Sequence, residues 1–413
     1  MRILHVSHRH HVAGGSDAVF MNTTKLLHEA GHEVVPFCMA LADNSPSPYD
    51  VYFPDGADTG HPRLRDAARY FWNRDAARQL RRLIAECGPF DIAHLHIYHG
   101  KQTPSILPVL KQAGIPIVQT LHEYKLACPV YTMQRGDGPC EACLPNVGIK
   151  PVLGRCKDGS VVKSATMLAE FQASRLLGDR RHIDRFICVS GFQRSVMERA
   201  GVPAHKLEVL HNAVEIPPAG PPPDGSYFLY FGRIERLKGV PTLLEAAQMA
   251  GVPLQIAGTG DWAEDCAARV SGLQDVTFHG FQTGDALTRL IEGARAVVVP
   301  SEWYENCPMS VLEAKARARA VIGTRIGGIP ELIQDGIDGR LVDPGNVNEL
   351  AAAMQDLTKE RALKMGAAAR ADARRRFSSG QHLTRLHTVY SEVIASQETF
   401  PENRNLQVSG APL

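Results

Sequence analysis

Three features are scarce or missing in this chain of 413 residues, and each absence narrows the class of protein. No apolar run reaches the roughly 18 residues of a membrane-spanning helix, so we expect no integral membrane protein. The formal net charge is only +1, so no overall field favours nucleic acid as a partner. The stretch MRILHVSH lacks the ordered zones of a signal peptide, so we expect a cytoplasmic protein.

The rest of the chain alternates short apolar runs with stretches of helical periodicity, which is the pattern of parallel α/β sheets. A proline-rich joint, IPPAGPPPDGS, interrupts the alternation once. We therefore predict an α/β fold of two Rossmann-like, doubly wound domains that face each other across a cleft. The predicted parts are a first domain over 1–215, a linker over 216–226, a second domain over 227–380, a helix over 381–397 that packs back on the first domain, and a flexible tail over 398–413.

The stretch SEWYENCPMSVLEA follows the predicted strand RAVVVPS and starts a helix. Pro308 suits the first helical position, and the free N–H groups behind it form an anion site that phosphate would fill. Glu305 and Glu313 flank this helix start, and a carboxylate accepts paired hydrogen bonds from adjacent sugar hydroxyls. On spacing alone, two acids that favour the helix dipole are an equally good interpretation.

The loop FGRIERLKG follows the first strand of the second half. Arg233 and Lys238 can neutralise a diphosphate there, and Gly232 lets the backbone approach it, although isolated basic residues are more often ordinary surface groups. The turn Gly258 to Gly260 and the stretch FHGF, whose backbone and Phe281 could hold a flat base, are weaker signals. The loop HVAGGSD lacks the G-x-G-x-x-G of dinucleotide-binding enzymes, so a dehydrogenase fits poorly.

Taken together, these stretches resemble family 4 retaining glycosyltransferases of the GT-B fold over about residues 1–395. The resemblance is carried by FGRIERLKG, IAGTGD, VTFHGF, VPSEWYENCPMSVLEA and GTRIGGIPELIQDGIDGRLVDPGN in the second half. In the first half it is carried by AGGSD, DIAHLHIYHG, TLHEYKLACP, FICVSGF and VLHNAVE.

The resemblance implies a role for each matching residue. Arg233 and Lys238 would bind the donor diphosphate, Glu313 the nucleotide ribose, and Glu305 the donor hexose, while His122 would face the transferred sugar. His122, Glu305, Arg233 and Lys238 are thus the candidate catalytic residues. The other candidate donor-binding positions are Gly14, Gly15, Gly232, Gly258, Gly260, Phe281, Asn306, Cys307, Pro308, Met309, Ser310 and Val311.

The implied reaction moves a hexose-type sugar from a nucleoside diphosphate to a saccharide, lipid-linked or small-molecule acceptor, in glycan, polysaccharide or glycoconjugate biosynthesis. It retains the anomeric configuration and requires no metal for catalysis. The donor base, the sugar and the oligomeric state stay open. Rival interpretations are a sugar-nucleotide epimerase or phosphorylase of the same fold, and a nucleotide-sugar-binding subunit without activity.

Four of the nine cysteines fall within one loop, predicted over residues 125–160. Four thiolates at this spacing can close a tetrahedral zinc site, which would be structural here. Two disulfides, which a reducing cytosol disfavours, and four free thiols are the alternatives. The candidate ligands are Cys128, Cys140, Cys143 and Cys156.

Residues 61–88 carry seven arginines against three acids, together with Tyr70, Phe71 and Trp72. A basic, aromatic helix of this kind could rest on anionic lipid at the inner membrane face, near a lipid-linked acceptor. A solvated helix with an apolar stripe packed on the sheet is the somewhat better interpretation.

Overall fold

The computed structural model describes residues 1–56, 64–136, 138–218 and 225–398 of the chain. Its strands are β1 (Arg2–Val6), β2 (Glu33–Phe37), β3 (Ile92–Leu95), β4 (Ile117–Leu121), β5 (Gln134–Arg135), β6 (Gly138–Pro139), β7 (Arg185–Cys188), β8 (Leu207–Val209), β9 (Tyr227–Arg233), β10 (Leu254–Thr259), β11 (Val276–Phe278), β12 (Ala294–Val299), β13 (Ala320–Thr324) and β14 (Gly339–Val342).

The α-helices cover both sheets or link them. They are α1 (Gly15–Glu29), α2 (Leu64–Phe71), α3 (Arg74–Cys87), α4 (Ile106–Gln112), α5 (Lys150–Leu153), α6 (Val161–Leu176), α7 (Asp179–His182), α8 (Gly191–Arg199), α9 (Val240–Ala250), α10 (Ala263–Val270), α11 (Gly284–Gly293), α12 (Met309–Ala316), α13 (Ile329–Leu332), α14 (Val347–Asp356), α15 (Lys359–Arg376) and α16 (Ser379–Glu398). Short 3-10 turns lie at Asp50–Tyr52, Ala204–Lys206 and Arg236–Lys238.

Two six-stranded sheets form the fold, and their strand pairings are parallel. The first has the order β2-β1-β3-β4-β7-β8 and the second the order β11-β10-β9-β12-β13-β14. The strand order reverses between β1 and β3 in the first sheet and between β9 and β12 in the second. Crevices open at the carboxyl ends of the strands at such switch points. The predicted α/β fold with two parallel sheets is confirmed.

Apolar side chains cover both faces of each sheet, as parallel sheets require. In the first sheet, Leu80 of α3 and Leu107 of α4 belong to the core on one face. Leu27 of α1 and Tyr390 of α16 belong to the core on the other. Helix α16 follows the second sheet in the chain and returns to pack on the first, so the carboxyl-terminal segment joins the two halves.

The segment 61–88 differs from the single helix that we expected. Two helices, α2 and α3, occupy its described part, and Asn73 lies between them. The Asn73 side chain accepts hydrogen bonds from the N–H groups of Asp75 and Ala76, so it caps α3 and ends the first helix. Leu80 and Leu83 of α3 are buried against the sheet. Residues 57–63, most of the predicted linker and residues 399–413 of the predicted tail lie outside the described residues.

No helix within the described ranges combines the length and the apolar character needed to cross a membrane.

Candidate functional site

The loops after β9 and β12 meet at the switch point of the second sheet. The first begins after Gly232 and Arg233, which end β9, and runs from residue 234 to Lys238; the second runs from Ser301 to Glu305. Because β9 and β12 are adjacent and parallel, both loops leave the same edge of the sheet. Backbone hydrogen bonding from Glu302 N–H to the Leu237 carbonyl, at 2.8 Å, ties one loop to the other.

Glu305 is buried, and three donors converge on its Oε1. They are Lys238 Nζ at 2.6 Å, Ser301 Oγ at 2.8 Å and Trp303 Nε1 at 2.9 Å. Burial by itself raises the pKa of this carboxyl, but the Lys238 charge and the three hydrogen bonds outweigh it and hold the pKa below its ordinary value. Among the described residues none donates to Oε2, so Glu305 is an ionised acceptor with one oxygen left for a ligand.

Two cations lie over the Trp303 ring beside this carboxylate. Lys238 Nζ is 4.6 Å from the ring centroid and Arg233 Cζ is 5.6 Å from it. Lys238 uses one N–H on Glu305 and has two more to donate. Arg233 pairs with Glu235 at 2.8 Å, and its side chain is 59% exposed, so it can turn toward an anion. The arrangement places two positive charges side by side, where an anion could bind.

Helix α12 begins at Met309, one residue later than we predicted. Pro308 is its N-cap residue with extended ψ of 122°, so the assignment of Pro308 to the first helical position is wrong by one residue. No side chain caps this helix, and in the described part of the chain no group accepts a hydrogen bond from the N–H of Met309 or Ser310. Those N–H groups therefore keep their capacity to bind an anion. Val311 N–H bonds to the Pro308 carbonyl at 3.2 Å.

Glu313 lies one turn further along α12 and differs from Glu305 in its surroundings. Its carboxyl is half-buried, and burial raises its pKa, although the nearby Arg317 opposes the change. Phe281 follows β11, and its ring is 70% exposed. Gly258 N–H donates to the Gly280 carbonyl at 2.7 Å, so Phe281 lies next to the glycine turn after β10.

Two glycines in this region are required by close backbone contacts. A Cβ on Gly258 would lie 1.8 Å from the Gly232 carbonyl oxygen, and one on Gly260 would lie 2.5 Å from the Ile234 oxygen. Gly258 has a φ of 149° and Gly260 one of 157°. The carboxyl ends of β9 and β10 and the turns that follow them can pack this tightly only because both positions lack a side chain.

The first sheet contributes the opposite side of the cleft. His122 directly follows β4, and its carbonyl accepts a hydrogen bond from Asn306 Nδ2 at 2.9 Å. Asn212 Nδ2 donates to the carbonyl of Cys307 at 3.2 Å. The loop that carries Glu305 therefore touches both halves of the protein, and it brings His122 and Glu305 to the same cleft.

Gly14 and Gly15 lie at the start of α1, where the loop after β1 ends. Gly14 is the N-cap residue with an extended φ of −163°, and a Cβ on Gly15 would meet nothing within 4 Å. Neither position requires glycine, because neither backbone conformation is strained and no neighbouring atom would clash with a Cβ. Their lack of a side chain leaves open space at the first switch point.

The four clustered cysteines are free and influence one another electrostatically. Burial and the thiols of Cys128, Cys140 and Cys156 raise the pKa of Cys143 to about 12. A closed tetrahedral zinc site would hold its sulfur atoms about 3.8 Å apart, given Zn–S bonds of about 2.3 Å. Among the described residues, the only three or more metal-binding side-chain atoms all within 4.8 Å of one another belong to His5, His94 and His96. The thiols therefore do not form a closed site in this arrangement.

Sequence reasoning missed a contact between the cysteine loop and the candidate site. Tyr304 precedes Glu305, and its hydroxyl donates to Glu141 Oε1 at 3.1 Å. Glu141 lies between Cys140 and Cys143 and also pairs with Arg199. No motif marks Glu141, and only the folded chain brings it to the second sheet.

Comparison with known families agrees with this geometry. A family model described as Glycosyltransferase Family 4 matches residues 13–216, and one described as Glycosyl transferases group 1 matches residues 225–360. Two parallel sheets facing across a cleft, with these two models in this order, define a glycosyltransferase of the GT-B fold. The chain belongs to glycosyltransferase family 4.

Individual relatives cover nearly the whole chain. The D-inositol 3-phosphate glycosyltransferase of Arthrobacter sp. (strain FB24) is 26% identical over 389 residues, which span 86% of this chain and 85% of that protein. Sucrose-phosphate synthase from Thermosynechococcus elongatus has a TM-score of 0.70 at 19% identity, covering 96% of this chain and 99% of that one. Anabaena HepE in complex with UDP and glucose has a TM-score of 0.63 at 16% identity, covering 95% and 100%. At these identities the two structures support the fold.

Proposed function

We propose that this protein is a retaining glycosyltransferase that moves a hexose-type sugar from a nucleoside diphosphate to an acceptor held against the first sheet. The observation that supports the proposal is the buried Glu305, which pairs with Lys238 at 2.6 Å and lies in a loop whose Asn306 donates to the His122 carbonyl. Glu305 Oε2 would accept hydrogen bonds from the donor hexose, and Glu313 would bind the ribose. Phe281 would lie beside the base.

Leaving-group stabilisation would be the main catalytic contribution of the chain. In the proposed step, the bond between the sugar C1 and the phosphate oxygen breaks, and a C1–O bond to the acceptor forms on the same face. The acceptor proton passes to the departing phosphate oxygen. Lys238, Arg233 and the N–H groups of Met309 and Ser310 would offset the negative charge that grows on the diphosphate, so catalysis needs no metal there. HepE, with UDP and glucose bound, supports a uridine nucleotide as the first donor to test.

The test is a thermal-shift panel of UDP, GDP and ADP and of their hexose derivatives. Each carboxylate is then removed in turn, as Glu305→Ala and Glu313→Ala. Loss of charge-assisted hydrogen bonds of about 1.5–3 kcal/mol should weaken donor affinity roughly 10- to 150-fold. Glu245→Ala, at an exposed position on α9, is the matched control and should bind like the wild type.

Two results would contradict the site assignment. One is wild-type donor affinity and rate in both carboxylate variants, and the other is the absence of stabilisation by every nucleotide in the panel. Turnover of the donor without an acceptor into another nucleotide sugar would instead identify an epimerase. Stabilisation by a nucleotide without transfer to any acceptor would favour a binding subunit.

The cysteine loop is the second part of the proposal. We infer that Cys128, Cys140, Cys143 and Cys156 bind a structural zinc ion, because four cysteines lie close together in one loop and their thiols can lose protons to become thiolate ligands when a cation binds. The ion would draw the thiols together and order the loop that carries Glu141. Protein purified without chelator should contain about one zinc per chain. Metal analysis that finds none would contradict this inference.

The acceptor side of the first half is basic. Exposed arginines follow one face of α3, while its leucines are buried, so a peripheral contact of this face with anionic lipid is part of the proposal. The exposed arginines are Arg74, Arg78, Arg81 and Arg82. Sedimentation with vesicles should increase when phosphatidylserine is added to phosphatidylcholine. Equal sedimentation with both would end the membrane proposal.

A further inference from the structure

A chain of histidines lies on one face of the first sheet and ends at the cleft. Side chains two residues apart on a strand share a face, which places His94 and His96 together and puts His122 on that face after β4. His5 of β1 pairs in register with His94. His5 Nε2 lies 2.8 Å from His96 Nε2, and His96 Nδ1 lies 2.7 Å from His122 Nε2.

These rings are neutral, because burial disfavours the charged form. Burial and the neighbouring His94 lower the pKa of His5 well below its ordinary value, and burial does the same for His96. Burial, with a contribution from His8, lowers the pKa of His122 to about 4. A neutral imidazole has one N–H and one bare nitrogen, so each ring in the chain must donate at one end and accept at the other.

Thr24 sets the direction of the chain. Its hydroxyl has one proton, which it donates to the Phe20 carbonyl at 3.0 Å. The same oxygen lies 2.8 Å from His5 Nδ1, so it must accept from that nitrogen. His5 Nε2 is then bare and accepts from His96 Nε2–H. His96 Nδ1 is bare in turn and accepts from His122 Nε2–H.

We propose that Thr24, His5 and His96 form a tautomer relay that holds His122 with its proton on Nε2 and a bare Nδ1 at the cleft. The proposal rests on the proposed function, since it takes the ligand at the cleft to be a sugar nucleotide. A bare Nδ1 accepts a hydrogen bond from a sugar hydroxyl and cannot donate to a phosphate oxygen. His122 is half-buried, and no described residue hydrogen bonds to its Nδ1. Thr24, His5 and His96 are therefore positioning residues that select a hydroxyl.

A metal is the competing explanation for part of this cluster, because nitrogens of His5, His94 and His96 lie within 4.8 Å of one another. Both nitrogens of His94 already have partners: Nδ1 lies 2.6 Å from the Tyr390 hydroxyl and Nε2 lies 2.7 Å from Thr120 Oγ1. Both nitrogens of His5 are also in use. A metal ion bound there would break the hydrogen bonds that the nitrogens of His5 and His94 already make.

The direct test is nitrogen NMR of the ligand-free protein labelled with ¹⁵N-histidine, with resonances assigned through single His→Gln variants. We expect His122 as the Nε2–H tautomer near neutral pH. Thr24→Ser keeps the hydroxyl and should leave that signature unchanged. Thr24→Val removes the hydroxyl that sets the direction among the described residues, so the Nδ1–H population of His122 should rise roughly three- to tenfold.

A second pair of variants tests the same tautomer of His122 if Thr24→Val destabilises helix α1. His96→Asn places Oδ1 near the position of Nδ1 and should still accept from His122, whereas His96→Leu cannot. The asparagine variant should preserve the Nε2–H signature, and the leucine variant should lose it. A wild-type His122 with its proton on Nδ1, or indistinguishable serine and valine variants, would overturn the proposal. Stoichiometric metal that is retained by the wild type and lost in His94→Gln would overturn it too.

Ligand binding separates this proposal from the proposed function. Across the variants, affinity for UDP-glucose should fall as the Nδ1–H population rises, while affinity for UDP stays constant. If the wild type binds neither probe, the proposed donor is wrong, yet the tautomer measurement still decides the relay. If the His122 tautomer changes in Thr24→Val but the affinity for UDP-glucose does not, the relay exists. Its proposed role in selecting a sugar hydroxyl is then refuted.

Discussion

Replacing Lys238 with methionine isolates the electrostatic centre of the candidate site. In the wild type the Lys238 and Glu305 side chains are 16% and 11% exposed, and Nζ lies 2.6 Å from Oε1. Methionine preserves an unbranched stem but leaves the Glu305 charge with two neutral donors, Ser301 and Trp303. Removal of one partner from a buried ion pair costs about 3–5 kcal/mol. For a domain of 150–250 residues this corresponds to a Tm lower by roughly 6–20 °C.

The pH dependence of this loss follows from the pKa of Glu305. A carboxyl whose folded pKa is lowered contributes stability above its unfolded pKa of about 4.3, and that stability disappears as the pH falls through the folded pKa. Without Lys238 the influence of burial dominates and raises the folded pKa. The variant therefore loses stability as the pH rises above about 4, so the gap to the wild type should be narrow near pH 4 and wide at pH 8.

Calorimetry at pH 4 and pH 8 tests this with four proteins: wild type, Lys238→Met, Glu305→Gln and the double variant. The double variant buries no unpaired charge and should be more stable at pH 8 than Lys238→Met, by at least about 2 kcal/mol. Its Tm should also change little between the two pH values beyond the change in the wild type. A Lys238→Met protein as stable as the wild type at pH 8, or additive losses in the double variant, would refute the reasoning.

Two further predictions concern the surroundings of the site. Gly239→Ala would place a Cβ 1.9 Å from the Pro300 carbonyl oxygen at a φ of +74°, whereas Gly251→Ala at the other end of α9 has a φ of +62° and meets nothing within 4 Å. We expect a loss of about 1–2 kcal/mol from conformation alone in Gly251→Ala and a larger loss in Gly239→Ala, measured as Tm, and equal losses would contradict the clash. Lys315→Met removes the ion-pair partner of buried Asp338 at 2.9 Å and one partner of Asp372 at 2.7 Å, while Asp372 keeps Arg375 and Arg376, so it should lose up to about 3–5 kcal/mol at pH 8; the loss should be smaller at pH 4, because Lys315 helps to lower the pKa of Asp372. A loss that does not change with pH would show that packing, and not charge, is responsible.

The sequence predicts most strands because each is a short apolar run that ends in a glycine or a polar loop. RAVVVP and PLQIAGTG are examples, and they became β12 and β10. Local pattern was less informative where one polar side chain decides a boundary. Asn73 lies within a run that looks continuously helical, and only its hydrogen bonds to the next helix turn show that the run breaks there.

Contacts within the site depend on strand order, which no local pattern contains. Lys238 and Glu305 are 67 residues apart, and they meet because β9 lies beside β12 and not beside β11. Asn306 and His122 are 184 residues apart and meet only across the cleft. The alternation of His94 and His96 does predict a shared face, but His5 joins them only because β1 pairs with β3.

In the proposed donor site, the Lys238–Glu305 ion pair would leave room for a ligand, because each partner keeps hydrogen-bonding groups that the pair does not use. Glu305 uses Oε1 for the protein and has Oε2 left for a hydroxyl, while Lys238 uses one N–H for Glu305 and has two left for phosphate. Donor binding would add partners to both groups and break neither existing bond. Groups held in place before the ligand arrives need no reorganisation when charge develops on the leaving diphosphate. The same principle extends to His122 if the relay sets its tautomer, because the cleft would then offer an acceptor for the sugar and donors for the phosphate before either is bound.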